Sequence, residues 1–349
     1  MDTGNLSTKI LELSNSSGVA ASSIGESLYN ALSAGIPATE DMGSAMTYME
    51  ECTKLAKAGF TDVDTAVTAT AKVLNAYKMD VSETGKIHKI LMQTQNKGIT
   101  TVGELGAVLA QVTPTAAAMN VSFEQVGAAL ATMTAQGTPT AQATTQLNSL
   151  FAELGKQGTV ASKSLEKATE GTKYAGKGFS ELMAEGVPLN EILNLMGATA
   201  DMSDQSLIDM FGSIEAGKAA LAMSGKNAQQ YTDNLEAMAT ETDLVGDAYE
   251  KVTNTFQAKS QVFIEGAKNL GIAIYKGMEE PLKGAADAGI GYVEDLTKAF
   301  QDGGLTGLVE EAGDIFADIV TEAAAQAPKV VDAAIGLIES FVKGIVSNK

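Results

Sequence analysis

Apolar residues along this chain recur at three- and four-residue intervals, and no alternating run of useful length interrupts them. From Asp62 to Tyr77, the positions Val63, Ala66, Val67, Thr70, Leu74 and Tyr77 fall on one helix face. Phe123, Val126, Leu130 and Met133 form a second stripe, and Leu147, Leu150, Phe151 and Leu154 a third. Punctuation frames these stripes. Thr101 with Glu104 and Ser122 with Gln125 have the spacing of a capping box, in which side chain and backbone at a helix start satisfy each other's free groups. Pro37, Pro139 and Pro188 suit first turns, where a missing N–H costs nothing, while Gly59 and Gly137 suit helix ends. The expected fold is all-α.

Breakers and composition divide the chain further. Residues 1–18 read as a helical lead-in. Residues 19–157 read as a compact multi-helix module with turns near Gly35, Gly59, Asp80, Gly98, Pro114 and Gly137. Residues 158–178 are rich in Lys, Gly, Ser and Thr and read as a linker or lid. A second cluster of short helices is expected over 179–242. Residues 243–302 carry few strong breakers besides Pro281, and Val252, Phe256, Phe263, Leu270, Ile274 and Met278 recur there as in long helices. Residues 303–349 read as amphipathic apolar helices, with Leu305, Leu308, Ile315, Phe316, Ile319, Val330, Ile335, Ile338, Phe341 and Ile345.

Composition limits what such helices can do. Of 349 residues, 45% are hydrophobic but only 5% aromatic, with no Trp, and 53 Ala with 35 Gly make up about a quarter of the chain. A core made this way is thin, because the large side chains that dominate core energetics are scarce. The formal charge is -19, and all 24 basic residues are Lys. Specific nucleic-acid binding is therefore not expected, since phosphate neutralisation and bidentate guanine contacts need clustered Lys and Arg. One cysteine, Cys52, leaves no intramolecular disulfide and no cysteine-based zinc site. The N-terminus has an acidic second residue and no apolar core of signal-peptide length, and no stretch of 18 apolar residues occurs.

Candidate chemistry is sparse. Gly171 to Lys177 has the spacing of a phosphate-binding loop, but Gly178 stands where Ser or Thr should hold magnesium, and the stretch reads as a linker. Ser164 and Lys167 have a Ser-x-x-Lys spacing without the accompanying motifs of acyl-transfer enzymes. His88, the one histidine, reads as a packing residue. Cys52 and His88 could pair as nucleophile and base, yet neither sits in a nucleophile turn. The adjacent acidic pairs Glu50–Glu51, Glu279–Glu280, Glu294–Asp295 and Glu310–Glu311 are expected to splay on a helix and face solvent. Fifteen Met residues suit helical surfaces that repack with partners. No catalytic, cofactor-binding or metal site is assigned, no cofactor is expected, and the chain is not read as an enzyme.

Three stretches resemble a known family. LAKAGFTDVDTAVTATAKVLNAY over 55–77, the long run from Thr100 to Leu154, and FGSIEAGKAALAMS over 211–224 are similar to the core region of tail tape measure proteins of long-tailed bacteriophages and prophages. The resemblance covers roughly residues 20–300. APKVVDAAIGLIESFVKGIVSN near the C-terminus is similar to one unit of the apolar amphipathic repeats that often follow that core.

The resemblance implies a structural ruler in the lumen of the tail tube, whose length sets how many rings assemble and which leaves ahead of the DNA. It implies the tail tube protein, tail assembly chaperones and distal tail or baseplate proteins as partners, and a homo-oligomer in the lumen. It places the protein first in the host cytoplasm, then in the virion tail, with host-membrane contact on ejection. A competing reading makes the chain an amphipathic membrane-interacting protein that inserts residues 304–346 to help form a DNA conduit. Against it, residues 301–349 hold eight acids and three lysines, a poor polar face for anionic lipid.

Overall fold

A computed structural model describes residues 3–38, 42–202, 206–240 and 243–266, together with residues 268, 269, 272, 298, 302 and 314. Among the described residues the regular structure is helical, with no strand. The helices are α1 (Thr3–Ser17), α2 (Ala21–Ser33), α3 (Gly43–Ala58), α4 (Val63–Tyr77), α5 (Thr84–Lys97), α6 (Val102–Val108), α7 (Thr113–Ala118) and α8 (Phe123–Ala135). They continue as α9 (Thr140–Gly155), α10 (Val160–Thr169), α11 (Phe179–Ala184), α12 (Leu189–Met202), α13 (Ile214–Ala222), α14 (Ala228–Ala239) and α15 (Leu244–Thr253).

The contacts divide the chain into two units. The larger joins residues 1–7 to 22–258. The second joins residues 8–21 to the described residues from 259 onward. Within it, Asn269 donates to Ser14 Oγ at 2.8 Å and to Asn15 Oδ1 at 2.7 Å. The segment read as continuous long helices from 243 breaks at Asn254–Thr255, and helix resumes over 256–266. The apolar segment 303–349 lies outside the described residues, apart from Asp314.

At the centre of the larger unit is α8, packed against α5, α9 and α14. From Phe123 to Thr134, its side chains are almost all buried. The thin core expected from the composition is filled by small residues. Thr70, Thr94, Thr132 and Thr134 are buried, and each hydroxyl donates to the carbonyl one turn earlier, at 2.7 to 2.8 Å. That local bond satisfies the hydroxyl without an outside partner, so threonine can stand where a core would otherwise need Val. Gly127 permits a close approach of α8 to α5: a Cβ there would lie 2.7 Å from Ile90 Cγ2 and 2.9 Å from Thr94 Oγ1.

Helix boundaries follow the side-chain signals with instructive departures. Asp62 caps α4 by accepting from the Thr65 amide at 2.7 Å. The Thr101–Glu104 capping box is complete. At α8, only half of the box forms. Ser122 accepts from the Gln125 amide, while the Gln125 side chain turns inward and accepts from the Leu189 amide and the Tyr231 hydroxyl. α3 ends at Gly59 as expected, but the left-handed residue is Phe60, with φ 53°. Gly59 serves packing instead, since a Cβ there would come within 2.7 Å of Val102. The Lys/Gly/Ser-rich stretch contains α10, which packs on α12 and buries Ala161, Leu165 and Ala168. Composition alone concealed that helix, because four small or branched residues, Thr169 among them, carry its inner face.

Candidate functional site

The strongest candidate for chemistry in the sequence, Cys52 with His88, is brought together by the fold. α3 supplies Tyr48 and Cys52 one turn apart, α4 supplies Thr70, and α5 supplies His88. His88 Nε2 lies 3.0 Å from Thr70 Oγ1 and 3.8 Å from Cys52 Sγ. Thr70 commits its one proton to the Ala66 carbonyl at 2.7 Å, so the network assigns the imidazole proton to Nε2, donating to Thr70. Nδ1 is then an unprotonated acceptor, buried and without a partner. Nearby, the Tyr48 hydroxyl donates to the Val67 carbonyl at 2.6 Å.

The electrostatics of this cluster are opposite to those of a nucleophile and base. Burial holds the His88 pKa down to about 3 and pushes the Cys52 thiol up to about 12. At neutral pH both groups are uncharged, whereas thiolate chemistry needs a thiol whose pKa is lowered by a cationic neighbour. Cys52 is 0% and His88 1% exposed, so no substrate atom reaches the sulfur in this conformation. The cluster is a polar joint between three helices.

A crevice of about 260 Å³ adjoins it, lined by Glu51, Gly85, His88 and Lys89 with Asp243, Leu244 and Val245 at the start of α15. Glu51 and Glu50 do not splay: both carboxylates reach Lys54, at 3.0 and 2.9 Å, because residues three and four positions away share a helix face. The other adjacent acidic pairs lie outside the described residues. Among the described residues, no group of three or more His, Cys, Asp or Glu is placed to hold a metal ion.

The loop with phosphate-loop spacing is already occupied by the protein's own carboxylates. Lys177 Nζ bonds both oxygens of Glu185, at 2.6 and 2.7 Å. The Gly178 amide at the start of α11 donates to Glu181 at 2.8 Å. The positions a phosphate would need thus hold negative charge, and α11 is only six residues long. Ser164 and Lys167 lie a turn apart on α10, with Lys167 exposed.

Neither the Cys52–His88 cluster nor the loop ending at Gly178 offers a reactive centre, and the class follows from similarity to known proteins. Residues 7–214 match the family of phage-related minor tail proteins, and the chain belongs to that family. It is also 65% identical over 335 residues to a protein of Clostridium phage phiCD119 called "Probable tape measure protein". That alignment takes in 95% of this chain and 36% of the relative, so the chain spans about a third of the relative's length. No solved structure matches it.

Among the described residues, no helix is long and apolar enough to cross a membrane. The membrane-inserting segment of the competing reading, residues 304–346, lies outside the described residues except for Asp314.

Proposed function

We propose that this chain is the core part of a tail tape measure protein, a structural ruler that sets tail length during assembly and is released when DNA is ejected. The observation that carries this reading is the 65% identity, sustained over 95% of the chain, to a relative bearing that name. The physical properties are consistent with it. Helices convert sequence into length at about 1.5 Å per residue, and an acidic surface without arginine has little attraction for DNA passing through the same channel. Its partners in this role are the tail tube protein, assembly chaperones and distal tail proteins, and its place is the lumen of the virion tail. The role needs no catalysis, and the neutral, sealed Cys52–His88 pair supports a structural assignment.

Electron microscopy of tails tests the reading. Residues 246–300 are deleted in frame from the gene in its native phage or prophage. As straight helix that segment would measure about 80 Å, and tails shortened by that order are the expected result. Tails of normal length would refute a measuring role for this part of the chain.

A further inference from the structure

α15 is attached to the larger unit differently from the helices around it. It lies across α3 and α5, and its inner face presents Val245, Ala248, Tyr249 and Val252 at helical spacing. Of these only Val245 is buried. Charged groups border the seat: Lys54 and Glu50 on α3 lie within electrostatic reach of Tyr249, and Glu51 and Lys89 line the crevice. Of the α15 side chains only Val245 would leave a fully buried setting, so departure of the helix costs little hydrophobic burial.

Local support for α15 is equally slight. Asp243 caps it by accepting from the Gly246 amide at 2.8 Å, and ten residues are too few to hold a helix alone in water. Once off its seat the segment unravels, and the entropy gained favours the open state. Beneath it, Leu244 and Val245 form one wall of the crevice and His88 part of the other. Behind His88 lies Cys52.

We infer that α15 is a detachable strap, which leaves the α3/α5 seat while the rest of the larger unit stays folded and thereby opens His88, and behind it Cys52, to solvent. From α15 the chain runs past Asn254–Thr255 to residues of the second unit. A pull along the chain reaches the bundle through a helix anchored by one buried side chain. The strap works in this way whether or not the chain sets tail length.

The chain's one histidine and one cysteine report on the strap without any added label. Native-state hydrogen exchange on the full chain, read by mass spectrometry, is combined with acylation of His88 by diethyl pyrocarbonate and alkylation of Cys52 by iodoacetamide. The amides of α15 should exchange at least about a hundredfold faster than those of α8, the scale that separates local from global opening. Val245→Ala removes the anchor's methyl groups and should speed both α15 exchange and His88 acylation by about tenfold, with α8 exchange unchanged. Equal exchange of α15 and α8, or equal acceleration of both by Val245→Ala, overturns the inference. Fast exchange in α15 with His88 and Cys52 still unreactive overturns it too, because the strap would then cover nothing.

Discussion

Thr70 and His88 fix each other's protons. The Thr70 hydroxyl gives its hydrogen to the Ala66 carbonyl at 2.7 Å and receives one from His88 Nε2 at 3.0 Å. α4 and α5 are thereby joined by a bond that only a neutral imidazole, in one tautomer, makes while leaving the ring uncharged in a buried setting. Protonating the ring would put a cation where burial strongly disfavours it.

That arrangement predicts an acid sensitivity with a definite window. The folded-state pKa of His88 is lowered to about 3, against an ordinary value of 6.5 in the unfolded chain. Below the ordinary value the unfolded state binds the proton and the folded state does not, so stability falls as pH drops from about 6.5 toward 3. The slope approaches about 1.4 kcal/mol per pH unit for one proton. Above the window the group has no effect on stability. Urea denaturation at pH 7, 6 and 5 should show this loss before most carboxylates titrate. His88→Gln retains a donor for Thr70 but cannot be protonated, and should flatten the dependence over that range. An unchanged slope in the variant would show that His88 is not its source.

Gly127 brings α8 close to α5, and a methyl group there meets a stiff neighbour. Ile90 is branched at Cβ, so its Cγ2, 2.7 Å from the added carbon, cannot swing away cheaply. Gly127→Ala improves helix propensity by about 1 kcal/mol, yet overpacking costs about 1–3 kcal/mol. The net expectation is destabilisation, read as a lower urea midpoint. A raised midpoint would mean that the two helices separate more easily than the packing implies.

Much of the helix pattern was legible because it depends on neighbours in sequence. The stripe from Val63 to Tyr77 became α4, and Thr101 with Glu104 capped α6, since both rest on contacts within a turn or so. What the sequence concealed depends on distant partners. Gln125 fits a capping box by spacing, but Leu189 and Tyr231, remote in sequence, offer its side chain buried donors. Gly59 ends α3 by spacing, while its lack of a side chain is needed for Val102. Cys52 and His88 are 36 positions apart, and only the packing of α3 on α5 makes them neighbours. That same packing makes them unreactive, because it removes the water that would support a charge on either group.

The loop from Gly171 to Gly178 should not bind nucleotide. Lys177 and the Gly178 amide are both engaged by glutamates, so a phosphate would have to displace two carboxylates before making its own contacts. Magnesium with ATP should leave the thermal midpoint unchanged. Lys177→Ala should lower stability by no more than about 1 kcal/mol, the range of an exposed ion pair. A ligand-dependent rise in the midpoint that Lys177→Ala abolishes would reverse this assignment.

Gln125 shows how much one buried polar group can hold. Its Oε1 accepts from the Leu189 amide at 2.9 Å and from the Tyr231 hydroxyl at 3.2 Å, tying α8 to the start of α12 and to α14. Gln125→Met fills nearly the same volume with a flexible apolar side chain, so packing changes little, but two donors lose their acceptor. A buried donor left unsatisfied costs about 1–3 kcal/mol, and the amide of Leu189 has no freedom to turn toward water. Tyr231 is fully buried and has no easier escape. The variant should therefore lose more stability than its change in apolar surface suggests, and hydrogen exchange at the Leu189 amide should rise in particular. Gln125→Glu keeps an acceptor at the same reach and should preserve the protection at Leu189 even where burying its charge lowers global stability. If Leu189 were deprotected equally by both substitutions, packing volume rather than the accepted hydrogen bond would be what joins these three helices.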